Sequence, residues 1–285
     1  MKHKKQLVQW PNMLIIISLM AVFMGLWMNR PEAVLNTVVP VKTTKYNADK
    51  TYFEPNLDRY IIATGEYEPY IYTENGVNKG FEYEMLIEIF KEMEIDYEIR
   101  TMSWVRGLYN LNTGDAFAVF PYAKTSEREQ SCIFTDSLID VEDRKVYFYY
   151  YQKEERPFVL QSIEDLKRHR LGGISGYYYT EIYDELGLEY DQSNDKIECF
   201  TKLKEGRIDT VALNPVVAEA LINRYFPEDK AAFKKSDFSF TVPPSGDRLM
   251  INREDPRAEA FVEQFNQAFH KLKDSGMWDS HDEEK

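Results

Sequence analysis

Cysteine and histidine are scarce in this sequence, with two and four copies in 285 residues. Cys132 and Cys199 are too few and too far apart for a disulfide scaffold. We therefore expect two buried thiols, with a bridge between them as the alternative. The histidines show no pair at helical or zinc-finger spacing, so we predict neither a structural metal site nor a cofactor.

Basic residues are also in the minority. The chain has 35 Lys and Arg against 48 Asp and Glu, which gives a formal charge of −13. Such a surface repels a phosphate backbone, and this argues against nucleic acid as a partner. An acidic small molecule would need a local basic pocket. Because 44% of the residues are hydrophobic, the chain can bury the core of one large or two small globular units.

The long hydrophobic run of the chain is at its N-terminus, where a basic start precedes the uncharged apolar residues 13–28. This run is longer than a usual signal-peptide core and slightly shorter than the roughly 20 residues that cross a bilayer. Residues 1–30 are therefore a signal peptide or a membrane anchor, and we favour the anchor because no clear cleavage site follows. Basic residues before the run predict a cytoplasmic N-terminus and an exported, periplasmic or extracytoplasmic remainder. A retained anchor would hold that remainder at the inner membrane.

Residues 31–57 mix Pro, Thr, Asn and charge without sustained periodicity, and they predict a linker. From residue 58 onward, short β-type runs alternate with helical patterns, which predicts an α/β fold with largely parallel strands. Asn75-Gly76 marks a tight turn. Among the later elements, residues 196–200 predict a strand and residues 201–209 a helix.

The last predicted helix has the best-marked ends. Asp255 is its predicted N-cap, and Pro256 suits the first turn. Phe261 and Phe265 belong to its apolar face, and Gly276 is predicted to end it.

Six short stretches occur in the order and spacing of one known family: EYEPY (66–70), GFEYEMLIEI (80–89), TSER (125–128), EDLKRHRLGGISG (164–176), LKEGRID (203–209) and FNQAFHKLKDSG (265–276). They resemble the motifs of the family 3 extracellular solute-binding proteins, whose typical members serve polar amino-acid uptake. The resemblance covers about residues 58–280.

The resemblance implies a two-lobe fold of the type II periplasmic-binding-protein kind, with two crossover strands joining the lobes and a ligand cleft between them. Lobe 1 would comprise residues 58–147 and 242–280, lobe 2 residues 148–241, and residues 281–285 would be an acidic tail. Closure of the lobes over a small molecule would be the functional event.

Arg128 is the first candidate ligand-binding residue. It follows a predicted strand, and ligands of open α/β sheets lie at the carboxyl ends of strands. A guanidinium there can bind a carboxylate with two parallel hydrogen bonds. Gly176 and Tyr177, at a predicted helix N-terminus, would favour the same anion. The alternative is a surface ion pair of Arg128 with a neighbouring glutamate, Glu127 or Glu129.

Three aromatic residues complete the predicted cleft. Tyr67 matches the family's aromatic that packs on the ligand's side chain, with an ordinary loop tyrosine as the alternative. Trp104 would form an apolar wall or simply pack in the core. Tyr122 ends the strand that precedes Arg128.

Asn214 departs from the family pattern, in which an Asp at this position holds the ligand's α-ammonium. A neutral acceptor gives a weaker hydrogen bond to an ammonium, by roughly 1 to 2 kcal/mol. We therefore expect a small carboxylate-bearing ligand that need not carry the usual α-ammonium.

Three functions are compatible with these features. The first is a non-catalytic, monomeric binding protein that delivers an amino acid or organic acid to the permease of an ABC transporter. The second is a membrane-anchored sensor or accessory domain of the same fold. The third is a cleft enzyme resembling cyclohexadienyl dehydratase, which would need an acid and a base such as Glu66, Glu68 or His169. We expect no catalysis.

Overall fold

Two separate five-stranded sheets organise the chain in a computed structural model, which describes residues 53–139, 145–152, 158–240 and 246–278. The predicted N-terminal segment, most of the linker, the acidic tail and parts of both crossover segments lie outside the described residues. Within the described ranges, no helix is long and apolar enough to cross a membrane. The predicted lobe boundaries stay a prediction.

The first sheet defines lobe 1. Its strands are β1 (Tyr60–Thr64), β4 (Tyr97–Thr101), β5 (Ala118–Tyr122), β6 (Cys132–Phe134) and β12 (Arg248–Asn252), in the spatial order β4-β1-β5-β12-β6. The first three run parallel, whereas β12 is antiparallel to both of its neighbours. Its helices are α1 (Phe81–Glu92), α2 (Trp104–Thr113) and α6 (Ala258–Asp274). A hairpin of β2 (Tyr72–Glu74) and β3 (Val77–Lys79) confirms the predicted turn, with positive φ at Asn75 and Gly76.

The second sheet defines lobe 2. Its strands are β7 (Val146–Tyr151), β8 (Leu171–Ile174), β9 (Tyr190–Ser193), β10 (Thr210–Leu213) and β11 (Phe233–Phe240), in the order β11-β7-β10-β8-β9. Strands β10, β8 and β9 are parallel, and β7 is antiparallel to β10 and β11. Its helices are α3 (Tyr178–Glu185), α4 (Lys196–Lys204) and α5 (Pro215–Tyr225), with short 3-10 helices at Ile163–Arg168 and Pro227–Ala232.

Each lobe has its own hydrophobic core. In lobe 1, the neighbours Ile61 and Ile62 of β1 enter different clusters on opposite faces of the sheet, as strand alternation requires. Lobe 2 has one large cluster, which includes Phe148 and Phe200. Cys132 and Cys199 lie in different cores as free, buried thiols, which confirms the prediction for them. Burial raises the pKa of the Cys199 thiol to about 12.

The strand predicted for residues 196–200 is wrong, because this segment is the first half of α4. Asp195 caps that helix by accepting a hydrogen bond from Glu198 N at 2.8 Å. The strand is the preceding segment, β9. Residues 196–200 (Lys-Ile-Glu-Cys-Phe) mix charged and apolar side chains, and five residues are too few to tell a helical pattern from a strand pattern. The Asp195 cap decides the outcome.

The predicted N-cap of the last helix is also wrong. The Asp255 carboxylate accepts from Arg257 N at 2.9 Å and pairs with the Arg257 guanidinium at 2.8 Å. These contacts lie in the turn before the helix, and the regular helix α6 begins at Ala258 with Arg257 at its N-cap position, two residues later than predicted. The apolar face is as predicted, since Phe261 and Phe265 are both buried.

Candidate functional site

A cavity of about 60 Å³ lies between the carboxyl ends of the parallel strands of both sheets. This is the position where open α/β sheets bind ligands. Lobe 1 lines it with Tyr67, Trp104, Pro121, Tyr122, Ala123, Arg128, Gly246 and Asp247, and lobe 2 with Val146, Gly176, Tyr177, Tyr178, Tyr179, Leu213 and Asn214.

All seven residues predicted from the sequence line this one cavity. The three candidate acids and bases, Glu66, Glu68 and His169, are not among the residues that line the cavity. Glu66 accepts hydrogen bonds from Thr73 N at 3.1 and 3.2 Å, and Glu68 pairs with Arg224. His169 precedes β8, at the end of that strand opposite the cavity.

Arg128 is buried, with 9% of its side chain exposed, and it contacts a carboxylate of the other lobe. Its Nε and Nη2 donate to Oε1 of Glu181, a residue of α3, at 3.0 and 2.6 Å. Oε2 of Glu181 accepts from Thr125 Oγ1 at 3.1 Å. Arg128 Nη1 donates to the backbone oxygen of Ala123 at 3.0 Å, which fixes the plane of the guanidinium. Three donors of lobe 1 therefore hold one carboxylate of lobe 2.

The Tyr122 side chain positions both Arg128 and Trp104. Its ring lies 5.2 Å from the Arg128 guanidinium carbon, within the range of a cation–π contact. Its hydroxyl donates to the backbone oxygen of Trp104 at 2.8 Å. The loop after β5 and the start of α2 are thus tied together beside the cavity.

Trp104 fills the space between the lobes. It begins α2, whose N-cap Ser103 accepts a hydrogen bond from Arg106 N. A Cβ on Gly65 of lobe 1 would lie 2.6 Å from the Trp104 indole, and a Cβ on Gly176 of lobe 2 would lie 2.7 Å from the Trp104 Cβ. Since real Cβ atoms do not approach this closely, Trp104 fits here because the residue facing its indole and the residue facing its Cβ are both glycines.

Tyr177 lines the cavity as predicted, but its backbone N–H, which was predicted to bind an anion, has a partner within the protein. Its backbone N–H donates to Ile174 O at 3.1 Å and is engaged in the turn before α3. The Tyr177 ring instead packs edge-on against Trp104, with the ring centroids 6.1 Å apart. Tyr177 therefore contributes its ring to the aromatic side of the cavity, next to Trp104.

Asn214 is buried at the start of α5 and caps that helix. Its Oδ1 accepts from Val216 N at 3.0 Å and from Val217 N at 3.3 Å. Asparagine serves as an N-cap about as well as aspartate. Capping alone thus explains an amide at this position, beside any contact with a ligand.

Two further bridges join the lobes near Tyr67. Lys196 Nζ of α4 donates to the backbone oxygen of Glu66 at 2.6 Å, and burial lowers the pKa of Lys196. Arg224 of α5 pairs with Glu68 at 2.8 Å. The structure is therefore a closed arrangement of the two lobes.

Among the residues of the site that sequence reasoning missed, Thr125, Glu181 and Asp247 carry polar or charged groups on which its chemistry depends. Thr125 is the first residue of the TSER motif, so its place in the same motif as Arg128 could have identified it as a site residue. Glu181 lies in the first turn of a helix and shows no spacing that links it to Arg128. Asp247 is 8% exposed, lines the cavity and precedes β12, where no motif marked it.

Comparisons with known proteins agree with this geometry. The sequence model of the bacterial extracellular solute-binding proteins, family 3, matches residues 60–284. No curated protein sequence matches the chain closely enough to count as a relative.

Solved structures of similar fold include the substrate binding protein of an amino acid ABC transporter, with a TM-score of 0.61, 19% identity, and coverage of 78% of this chain and 96% of the other. The arginine-, lysine-, histidine-binding protein ArtJ from Geobacillus stearothermophilus has a TM-score of 0.62 and 17% identity, with coverage of 77% and 91%. A histidine kinase sensor domain similar to periplasmic binding proteins has a TM-score of 0.64 and 17% identity, with coverage of 78% and 93%. Identities this low show the fold alone, and they confirm the predicted two-lobe α/β class.

Proposed function

Because this chain belongs to family 3 of the bacterial extracellular solute-binding proteins, we propose that it binds a small, amino-acid-like carboxylate in the cleft and delivers it to a membrane permease. The observation that supports this proposal is the carboxylate already held by Arg128. Nε and Nη2 of Arg128 and the hydroxyl of Thr125 surround the Glu181 carboxylate at 2.6 to 3.1 Å. A ligand carboxylate in the same place would receive the same three donors.

A charge-assisted contact of this kind is about twice as strong as a neutral hydrogen bond. The guanidinium is also oriented before a ligand arrives, by the Ala123 oxygen and the Tyr122 ring. Such preorganisation lowers the entropy cost of binding. Export of the folded part, as the family implies, would expose this site to solutes outside the cytoplasm.

Asp247 would be the partner of a ligand's amino group. It is a buried carboxylate that lines the same cavity as Arg128, so an amino acid could place its two charges against opposite charges of the site. The loss of the usual Asp at position 214 would then not remove the acid from the cleft. The ligand is an amino acid on this reading, rather than an organic acid without an ammonium.

A sensor or accessory role is the second candidate. It would require residues 1–30 to be retained as an anchor, and the similarity of the fold to a histidine kinase sensor domain supports it. Uptake of the radiolabelled ligand separates the two roles. Deletion of this chain would abolish uptake if it feeds a permease, and would leave uptake intact if it is a sensor.

A thermal-shift screen tests the binding proposal, because a ligand that binds only the folded state raises the Tm. The probes are matched pairs with and without an amino group: alanine and propionate, aspartate and succinate, glutamate and glutarate. We expect at least one amino acid to raise the Tm of the full chain, and its effect to be lost in Arg128→Ala and kept in Arg224→Ala. No shift for any probe, or an equal shift in both variants, would contradict the proposal.

The same screen tests the amino-group contact. Asp247→Asn should weaken binding of the amino acid about tenfold, since one charged contact is worth roughly 1.5 kcal/mol or more. Binding of the matched acid that lacks the amino group should stay unchanged. Equal weakening of both partners would assign Asp247 a structural role. Recovery of the ligand unchanged after long incubation is the expected result for a non-catalytic protein.

A further inference from the structure

We propose that Glu181 is an internal occupant of the anion site: its carboxylate holds the lobes together when no ligand is bound, and a ligand carboxylate must displace it. The displacement rests on the function proposed above, whereas the occupation does not. Glu181 thereby sets the affinity and selectivity of the cleft.

The contacts support an occupant rather than an incidental surface pair. Glu181 is separated from Arg128 by 53 positions and from Thr125 by 56, and it belongs to the other sheet's lobe. Both of its oxygens are engaged, Oε1 by two guanidinium N–H groups and Oε2 by a hydroxyl. A surface pair would rarely use both oxygens against a residue that is only 9% exposed.

Glu181 can leave the site without a change of backbone. Its side chain is 27% exposed, so a rotation about its own bonds can carry the carboxylate into solvent. Arg128 cannot follow, because Ala123 and Tyr122 hold its guanidinium. When a ligand displaces Glu181, the Glu181 side chain therefore moves, and the anion site of lobe 1 stays fixed.

Competition for one guanidinium makes the cleft selective. A ligand without a carboxylate gives Arg128 nothing in exchange and leaves Glu181 in place. A ligand with a carboxylate can accept the same hydrogen bonds from Arg128 and Thr125 that Glu181 gives up. If Glu181 occupies the site nine-tenths of the time, the apparent affinity for such a ligand is about tenfold lower than the intrinsic affinity.

Removal of the Glu181 carboxylate should therefore leave a site that a small anion can fill. In the full chain, Glu181→Ala should have a lower Tm than the wild type, and sodium acetate at about 50 mM should restore part of the loss, because the anion binds the folded state. Sodium chloride at equal ionic strength should not. The wild type should not respond to acetate, and neither should the double variant Glu181→Ala, Arg128→Ala. The exposed Glu219 of α5 provides a matched control, Glu219→Ala.

A second variant keeps the test informative if Glu181→Ala does not fold. Glu181→Gln preserves the shape of the side chain and removes its charge, so it should bind a carboxylate hit from the screen about tenfold more tightly than the wild type. Absence of acetate rescue in a folded Glu181→Ala, or rescue that persists without Arg128, would overturn the inference. Unchanged or weaker binding by Glu181→Gln would overturn it as well.

The acetate experiment needs no natural ligand, so its failure is distinct from failure of the binding proposal. Rescue without any hit in the screen would leave Glu181 as an occupant with no external competitor. A hit that depends on Arg128, without rescue, would keep the carboxylate site and discard Glu181 as its occupant.

Discussion

Among the residues that the structure describes, two ion pairs join the lobes, and they differ mainly in the exposure of the cation. Glu181 and Glu68 are nearly equally exposed, at 27% and 26% of the side chain. Arg128, however, is 9% exposed, whereas Arg224 is 40% exposed. The two pairs also have opposite polarity, because lobe 1 supplies the buried cation and lobe 2 the exposed one.

This difference shows which bridge can be exchanged for a ligand. The exposed pair competes with water and salt and contributes little to closure. The buried pair lies at the cavity, where an unpaired charge is costly, so the guanidinium needs a carboxylate in either state. Closure at the Arg128 side therefore depends on an anion, whichever molecule supplies it.

The largest expected effect comes from removing the buried cation. Arg128→Ala leaves the Glu181 carboxylate without its charge partner, at a cost of about 2 kcal/mol, less than the roughly 3 to 5 kcal/mol of a fully buried pair because Glu181 is partly exposed. Calorimetry should show a Tm about 6 °C lower. Affinity for a carboxylate ligand should fall roughly 100-fold. A Tm equal to that of the wild type would remove the distinction between the two bridges.

Closure itself can be blocked at the glycine that faces Trp104. Gly176 has φ +82, and a Cβ there would lie 2.7 Å from the Trp104 Cβ. Gly187 has φ +62 with no heavy atom within 4 Å of its Cβ position, so Gly187→Ala is a control with the same backbone strain of about 1 kcal/mol. Gly176→Ala should weaken ligand binding about tenfold by calorimetric titration. Equal affinities of the two variants would show that closure tolerates the added methyl.

A pH-dependent effect is expected one turn beyond Glu181. Burial raises the pKa of Glu185, and the carboxylates of Glu127 and Glu181 raise it further. A raised folded-state pKa favours the native state below the unfolded value, and the advantage is lost as the pH rises through the folded value. Glu185→Gln should consequently raise the Tm by about 2 °C at pH 8, and the gain should disappear near pH 4. The exposed Glu189 is the control, and a gain independent of pH would contradict this electrostatic origin.

The smallest effect should come from the exposed bridge. Arg224→Ala should change stability by less than about 0.5 kcal/mol and ligand affinity by less than about twofold, with even that difference removed at high salt. A loss comparable to that of Arg128→Ala would show that both edges of the cleft hold the closed state.

The sequence was informative where local chemistry decides the structure. Asn75-Gly76 specified its hairpin, and the position of Arg128 after a β-type run placed it at the ligand end of the sheet. The helix at residues 196–204 was misjudged because its signal lies in one capping side chain, Asp195. Local pattern and final structure disagree there by only a few residues.

Glu181 could not be predicted from the sequence for a different reason. Its contact with Arg128 depends on how α3 of one lobe meets the loop after β5 of the other, and periodicity within a helix contains no such information. Asp247 likewise reaches the cavity only through the return of the chain to lobe 1. The contacts between the lobes therefore could not be predicted from the sequence.

A crystal structure of the protein with a ligand found by the screen tests the central claim most directly. We expect the ligand carboxylate within about 3 Å of Arg128 Nε and Nη2, with the Glu181 side chain turned into solvent. A ligand bound elsewhere in the cleft, with Glu181 still on Arg128, would contradict the account.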